Sequence, residues 1–552
     1  MAYRMAAENL WQWVATQKRT YIGNATSVRD YRVQLRGSRS ALLFSLYLLV
    51  LIGVAMVVYS QSQGTSQGIS EVQRHLHDFY QVIMLLLGIV VSLVAPALAA
   101  TAVVTERQRR SLDLIFSAPV TPKYYLVGKA LAAFRYTWML LVLALPITAA
   151  CVVMGGATWS DVLISFILLS FQGLVLVSIG LLMSALASKA VSAVVWTYGA
   201  VAFYLLIASG LSAIASGSEQ SLQGVAQYPF TIDLSPFYVL QGAPSISMWA
   251  GLAVPNWILA CLACLGISKL FLLGAGCVLD PSNSQLVKRL RIHGLIYAGA
   301  IAAAMGGLLN PQGLQRDNVA GQVLISISLP LVFVLPHLTC FALDGARRYK
   351  PNGLFAPRRM LDGTPAGALP YLLSLIGISS VALAASSMVA GYNVLNGSYV
   401  SSTIYVAALW TLIWALGRAA STYLISAHST TLSAARVLNL VGILVLLVLP
   451  LPIIMALDSS SGNVQYYLIL SILRPLFSTP AQMSPTWAYA LLSIFGAVGI
   501  TWWSETQLAE KLSKKQATEK SPLTDTLSNP MLSAIPVTQA DSSKESRIRL
   551  NR

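Results

Sequence analysis

Twelve apolar stretches alternate with short polar segments along the chain, at 41–59, 80–103, 136–154, 162–186, 190–214, 249–273, 294–309, 322–343, 369–390, 403–425, 437–457 and 486–503. An apolar helix of about 20 residues spans the hydrocarbon core of a bilayer. The pattern therefore predicts an all-α fold, a polytopic transmembrane helical bundle of about twelve spans. Outside the spans there is room for little beyond short loops, an N-terminal segment and a C-terminal tail.

Composition agrees with this reading. Of 552 residues, 56% are hydrophobic and 10% charged, whereas a soluble domain carries about 25% charged residues. A string of soluble domains is excluded.

Charge then orients the bundle. The net charge of +16 in a soluble protein would suggest nucleic acid. With the N-terminus in the cytoplasm, however, only Arg74, Arg316 and Arg474 of the 36 basic residues lie outside. Seven acidic residues share the outer loops with them: Glu71, Asp78, Asp161, Glu219, Asp233, Asp317 and Asp458. Such asymmetry is what the positive-inside rule requires, and an even number of spans returns the C-terminus to the cytoplasm. The expected setting is the plasma (inner) membrane, with lipid and not nucleic acid as the partner of the basic surface.

The candidate chemistry is sparse. Cys151, Cys261, Cys264, Cys277 and Cys340 all fall in or beside spans, which argues against a disulfide framework. Cys261 and Cys264 read as packing residues. The five histidines show no metal spacing, so no metal site and no cofactor are expected in this chain. No HExxH sequence appears and the outer carboxylates are scattered, which weighs against a membrane-embedded enzyme.

Four regions follow from these patterns. Residues 1–40 hold no apolar core with a small-residue cleavage site, so no cleavable signal is expected. Their aromatic residues, among them Trp11, Trp13 and Tyr21, alternate with basic ones such as Lys18, Arg29, Arg32 and Arg36. That mixture suits a helix lying in the interface, and it equally supplies topogenic charge. Residues 41–273 and 274–503 form two six-span regions, each with a sizeable loop after its second span, an arrangement a degenerate repeat would give, although the two halves share little sequence similarity. From 504 to 552 apolar periodicity ends, and a disordered cytoplasmic tail is expected.

The first of those loops, within 104–135, carries the most information. Thr105 and Gln108 have the spacing of a capping box. Glu106 with Arg110 and Arg109 with Asp113 form i, i+4 opposite-charge pairs. Leu112, Ile115 and Phe116 gather on one apolar face. Pro119 stops this helix at Ala118, and Thr121 followed by Pro122 opens a second one as N-cap and first residue. Two helices about a sharp break suit a docking device, although a structural linker has the same signals.

The run Glu106-Arg107 … Ser111-Leu112-Asp113-Leu114 … Ser117-Ala118-Pro119-Val120-Thr121-Pro122 … Gly128-Lys129 closely resembles the cytoplasmic loop of ABC-2 type permeases, the membrane subunits of a class of ATP-binding-cassette exporters. Gln108 stands where that family has a second Glu, Ser111 where it has Thr, and Ile115-Phe116 where it has a Leu-rich pair. Residues 24–39 resemble the basic segment before the family's first span, with Ala25 in place of its Pro. Leu234-Ser235-Pro236-Phe237 resembles another family feature. The family's outer segment can dip back into the membrane, and Tyr228-Pro229-Phe230 would suit that; a plain loop would also fit.

The resemblance, which covers about 24–273, implies a permease that exports a substrate using a cytoplasmic ABC ATPase subunit, in which ATP and Mg would bind. It assigns docking and coupling to Glu106, Arg107, Arg110, Asp113 and Leu114, the break to Pro119, Thr121 and Pro122, and the return to the membrane to Gly128 and Lys129. The family's usual unit has six spans that pair, so this chain is either a fused pair or one that forms a homodimer or joins a second permease. No GxxxxGK[ST] loop occurs, so ATP hydrolysis is not expected here. Substrate-binding residues are not legible. The alternative is an ion-coupled secondary transporter, for which His337 is the nearest proton-relay candidate.

Overall fold

The computed structural model describes residues 24–36, 38–62, 69–117, 120–216, 232–237, 246–249, 252–280, 283–307, 360–361 and 368–389, with isolated positions between 495 and 510. The expected spans 322–343, 403–425 and 437–457 lie outside the described residues, as do His337, Pro119, Tyr228–Phe230 and most of the tail.

The described residues are helical apart from one hairpin and one short 3-10 turn. In chain order they form α1 (Ala25–Leu35), α2 (Ser38–Ser62), α3 (Ile69–Ala100), α4 (Val104–Gln108), α5 (Ser111–Ser117), α6 (Pro122–Val153), α7 (Trp159–Leu186) and α8 (Ala190–Ser216). The 3-10 turn Ile232–Leu234 and the strands β1 (Ile246–Trp249) and β2 (Leu252–Pro255) come next. Then follow α9 (Asn256–Leu279), α10 (Ser284–Gly307) and α11 (Ala368–Val389). The fold is all-α and polytopic.

Four described helical stretches are long and apolar enough to cross a membrane: Leu76–Gln108, Pro122–Val153, Trp159–Leu186 and Asn256–Leu279. They fall on the expected second, third, fourth and sixth spans. The first and fifth fall on α2 and α8, whose apolar stretches Leu42–Val57 and Ala190–Leu205 are shorter.

Helix α7 sits at the centre and packs against α3, α6, α8 and α9. Its start is fixed locally. Thr158 Oγ1 accepts from Asp161 N at 3.3 Å, while Asp161 Oδ2 accepts from Thr158 N at 3.0 Å, a reciprocal pair that satisfies backbone donors left open by the first turn. Leu168, Leu169, Val175, Leu176 and Leu181 from this helix are fully buried in the core. The opposite case is α2, where Leu42, Leu46, Leu49 and Met56 are exposed, the arrangement a lipid-facing helix needs.

Two element boundaries differ from the sequence reading. The expected sixth span began at 249, yet Ile246–Trp249 pairs antiparallel with Leu252–Pro255, and the helix begins at Asn256. A short apolar run does not distinguish strand from helix by periodicity. Pro255, without an N–H, suits the last strand position before the helix. The basic stretch Lys288–Arg291, just ahead of the expected seventh span at 294–309, lies inside α10. There Arg291 is fully buried, donates to the Met360 carbonyl at 2.6 Å, and places its guanidinium 5.3 Å from the Tyr371 ring centroid.

A third difference concerns Asp233, read above as an outer-loop acid. It lies in the 3-10 turn with no exposed surface. The Tyr204 hydroxyl donates to the Leu234 carbonyl at 3.0 Å, and the Gln172 side-chain amide donates to the Asp233 carbonyl at 2.6 Å. Residues 232–237 therefore dip into the bundle.

Candidate functional site

The element α4–α5 projects between α3 and α6. Three turn residues after Ala100 lead directly into α4, and Thr105 Oγ1 donates back to the Thr101 carbonyl at 2.7 Å. The expected capping box at Thr105 and Gln108 is absent, because α4 continues from the preceding span and its open donors find a tertiary partner. Ser184 Oγ of α7 accepts from Val103 N at 3.0 Å and from Val104 N at 3.2 Å.

The break falls earlier than Pro119 alone would place it. Arg110 has φ of 55° and is the single non-glycine residue with positive φ among the described residues. Ser111 Oγ donates to the Glu106 carbonyl at 3.1 Å, which occupies an acceptor that a continuous helix would use for its own backbone. The chain thus turns at Arg109–Arg110. A helical Glu106–Arg110 pair does not form, since Glu106 turns to other partners.

Those partners bind three elements together. Glu106 Oε1 lies 2.5 Å from Lys129 Nζ in α6, and Glu106 Oε2 accepts from the Tyr125 hydroxyl at 2.5 Å. Lys129 Nζ also lies 2.6 Å from Asp30 Oδ2 in α1, while Arg29 reaches Asp30 at 3.1 Å and Glu106 at 3.4 Å. Side-chain exposure is 8% for Lys129, 14% for Glu106 and 15% for Asp30. Charges this dehydrated are stable only as a set, since each removes the desolvation cost of its neighbour.

Arg107 makes a second anchor. Its guanidinium donates to the carbonyls of Ala185 at 2.9 Å and Ala187 at 3.0 Å, at the C-terminus of α7. A cation here satisfies carbonyls left open by the last helical turn and complements the negative end of the helix dipole.

Gly128 has a steric role. A Cβ at this position would fall 2.5 Å from Asn24 Oδ1 and 2.9 Å from Thr26 Cβ, so only glycine lets the start of α1 settle against α6. Asn24 caps α1 by accepting from Ser27 N at 3.2 Å, and its side-chain amide donates to the Tyr124 carbonyl at 2.9 Å. Ala25, where the permease pattern has Pro, uses its N–H to donate to the Tyr124 hydroxyl at 3.0 Å. A proline could not make that bond.

Thr121 and Pro122 open a helix as expected: Thr121 Oγ1 accepts from Tyr124 N at 3.3 Å, with Pro122 at the first helical position. That helix is α6 itself, continuous from the loop into the apolar bundle. Asp113 lies in α5; Pro119 lies outside the described residues. Leu112 is buried, Ile115 and Phe116 pack against the core, and Phe116 meets the Tyr125 ring edge-on at 5.7 Å.

Exposure separates the expected residues into two sets. Glu106, Arg107, Gly128 and Lys129 face inward and hold the element to α1, α6 and α7. Arg110 is exposed together with its neighbours Gln108 and Arg109, and Leu114 is 73% exposed. The turn and α5 therefore present cations beside a bare aliphatic side chain. Asp30, Tyr125 and Ser184 were missing from the sequence reading of this site. Asp30 and Tyr125 lie within the two segments that carried the resemblance, whereas nothing near Ser184 in the sequence signals its role.

Residues 25–220 match the family model for ABC-2 type transporters. No curated protein and no solved structure matches the chain. The match takes in α1 through α8, the inward-facing network and the exposed turn. Residues 25–220 thus form the ABC-2 type transporter domain of a multi-pass membrane permease.

Proposed function

We propose that this permease takes its energy from a separate ATPase subunit that docks on α4–α5, and that it exports its substrate. ATP and Mg bind in that partner, and the chain itself contributes no hydrolysis. In this reading both termini lie in the cytoplasm of a twelve-span chain in the plasma membrane, and α4–α5 faces the cytoplasm. The chain works as a fused pair of permease halves, or alongside a second copy or a second permease.

One observation carries the proposal: the exposed turn Gln108–Arg110 and Leu114 stand on a base that is tied to three helices of the domain. Arg107 links it to the end of α7, while Glu106 links it to α6 and, through Lys129 and Asp30, to α1. A push on such an element moves the helices with it and is not absorbed by a flexible loop. Conformational coupling needs this kind of rigid connection to a packed, two-state bundle. The exposed cations suit an acidic groove, and Leu114 suits an apolar pocket within it.

The test is gentle purification of the tagged chain from its native membrane, with mass spectrometry of what accompanies it. A stoichiometric partner bearing a Walker A motif is expected. A chain that purifies intact and alone would overturn the proposal and shift the weight to an ion-coupled transporter.

A further inference from the structure

The segment Ile232–Phe237 lies among α3, α7, α8 and α9, toward the end of the bundle away from α4–α5. Helix α8 begins near the Arg107 anchor, and its contacts climb away from it. The Tyr198 hydroxyl reaches the Leu93 carbonyl, and Tyr204 reaches the Leu234 carbonyl. The segment settles against α3 because Gly88 leaves space; a Cβ there would fall 2.5 Å from the Pro236 carbonyl oxygen. Asp233 is thereby held level with Gln172, midway along α7.

This site is built from acceptors without donors. Among the described residues, neither Asp233 carboxyl oxygen has a hydrogen-bond partner, and the Gln172 side-chain oxygen has none either. All of these atoms are buried. The Gln172 amide nitrogen is already committed to the Asp233 backbone carbonyl, and the Tyr204 hydroxyl to that of Leu234. On α9, Cys261 and Cys264 lie close enough to interact electrostatically with the carboxyl. The side facing α3 presents Gly88, which carries no titratable group. No ion pair reaches Asp233 among the described residues, and none of their Cys, His, Asp and Glu side chains form a metal-binding group.

An ionised carboxylate with no partner is very costly in such surroundings. Adding one proton removes the charge and supplies the missing donor. We propose that Asp233 is a proton-binding site inside the membrane domain, loaded in this closed arrangement and emptied when the bundle opens at that end and water reaches the carboxyl. A carboxyl whose pKa is raised in the closed state stabilises that state fully below the ordinary value of about 4. The contribution falls as pH rises toward the raised value, so alkaline conditions favour the open arrangement. The proposal is independent of any ATPase partner.

Two measurements on the full chain in lipid nanodiscs test it. Infrared spectra of wild-type protein carrying carbonyl-13C aspartate report the protonation state without any substitution. At neutral pH the labelled sample should show the C=O stretch of a neutral carboxyl, and Asp233→Asn should abolish it. A spectrum containing only ionised aspartate would overturn the proposal. The second measurement follows labelling of buried Cys264 by a water-soluble maleimide, resolved by peptide mass spectrometry. Relative to D233N, which cancels the thiol's own titration, wild-type labelling should rise with pH by up to about tenfold per unit for one linked proton. Identical pH profiles would refute the link to opening.

Discussion

Lys129 Nζ lies 2.5 Å from Glu106 Oε1, so the last segment of the loop signature, Gly-Lys, closes back on the first, Glu-Arg. The same ammonium lies 2.6 Å from Asp30. One cation thus bridges two carboxylates from two other elements, with Arg29 supplying the second positive charge, and the loop, α1 and α6 behave as one piece.

Lys129→Met leaves the partly dehydrated Glu106 and Asp30 with the exposed Arg29 as their shared cation. Removing one member of a buried charge set costs about 3–5 kcal/mol, and the partial exposure of Glu106 and Asp30 places this case at the lower end. Thermal unfolding of the purified chain should show a clear loss of stability, with Lys129→Arg recovering most of it. A Met variant as stable as wild type would show that the ion pairs contribute nothing.

Gly128→Ala puts a methyl group into the Asn24 side chain. Overpacking of this kind costs about 1–3 kcal/mol, and here α1 can relieve it by lifting from α6. Limited proteolysis between α1 and α2 should become faster while the apolar bundle stays intact. Unchanged cleavage would mean that the start of α1 moves aside without loss.

Arg107→Lys keeps the charge but not the two-pronged contact with the Ala185 and Ala187 carbonyls. A lysine ammonium is no substitute at a site that uses a planar fork. Loss of a charged hydrogen bond to a terminal carbonyl costs about 1–3 kcal/mol. Hydrogen exchange should report faster opening of α4 and of the last turn of α7. Exchange unchanged at both would remove Arg107 as the anchor.

Much of this was legible in the sequence. The apolar runs located the helices because a bilayer demands uninterrupted apolar length. Thr121-Pro122 announced the start of α6 through backbone chemistry that is local. The misreadings came where a distant residue decided the outcome. Ser184 replaced the capping box at Thr105, and Lys129 drew Glu106 away from Arg110. Asp233 looked like an aqueous acid because nothing in its own neighbours marks burial; the resemblance offered a dip in this loop at Tyr228–Phe230, with a plain loop fitting equally. The strand pair 246–255 was hidden for a related reason, since its residues are as apolar as the helix that follows.

Charge reversal of the exposed turn, with Arg109→Glu and Arg110→Glu together, touches none of the internal bonds described above. Stability should change by no more than about 0.5 kcal/mol per site. Arg110→Gly should be neutral or slightly stabilising, because glycine adopts the observed φ of 55° without the steric cost that an L side chain bears. Co-purification of the ATPase should be lost in the charge-reversed variant and kept with Arg110→Gly. Retention of the partner by the charge-reversed variant would show that these cations do not contact it.

The most direct test places a photo-reactive amino acid at position 114, where the native leucine is 73% exposed, and irradiates native membranes. If α4–α5 is the docking element, the principal adduct is a covalent complex with a nucleotide-binding ATPase, and the same probe at buried position 112 gives none. Adducts at 114 with lipid alone, or with no ATPase among them, would contradict the account.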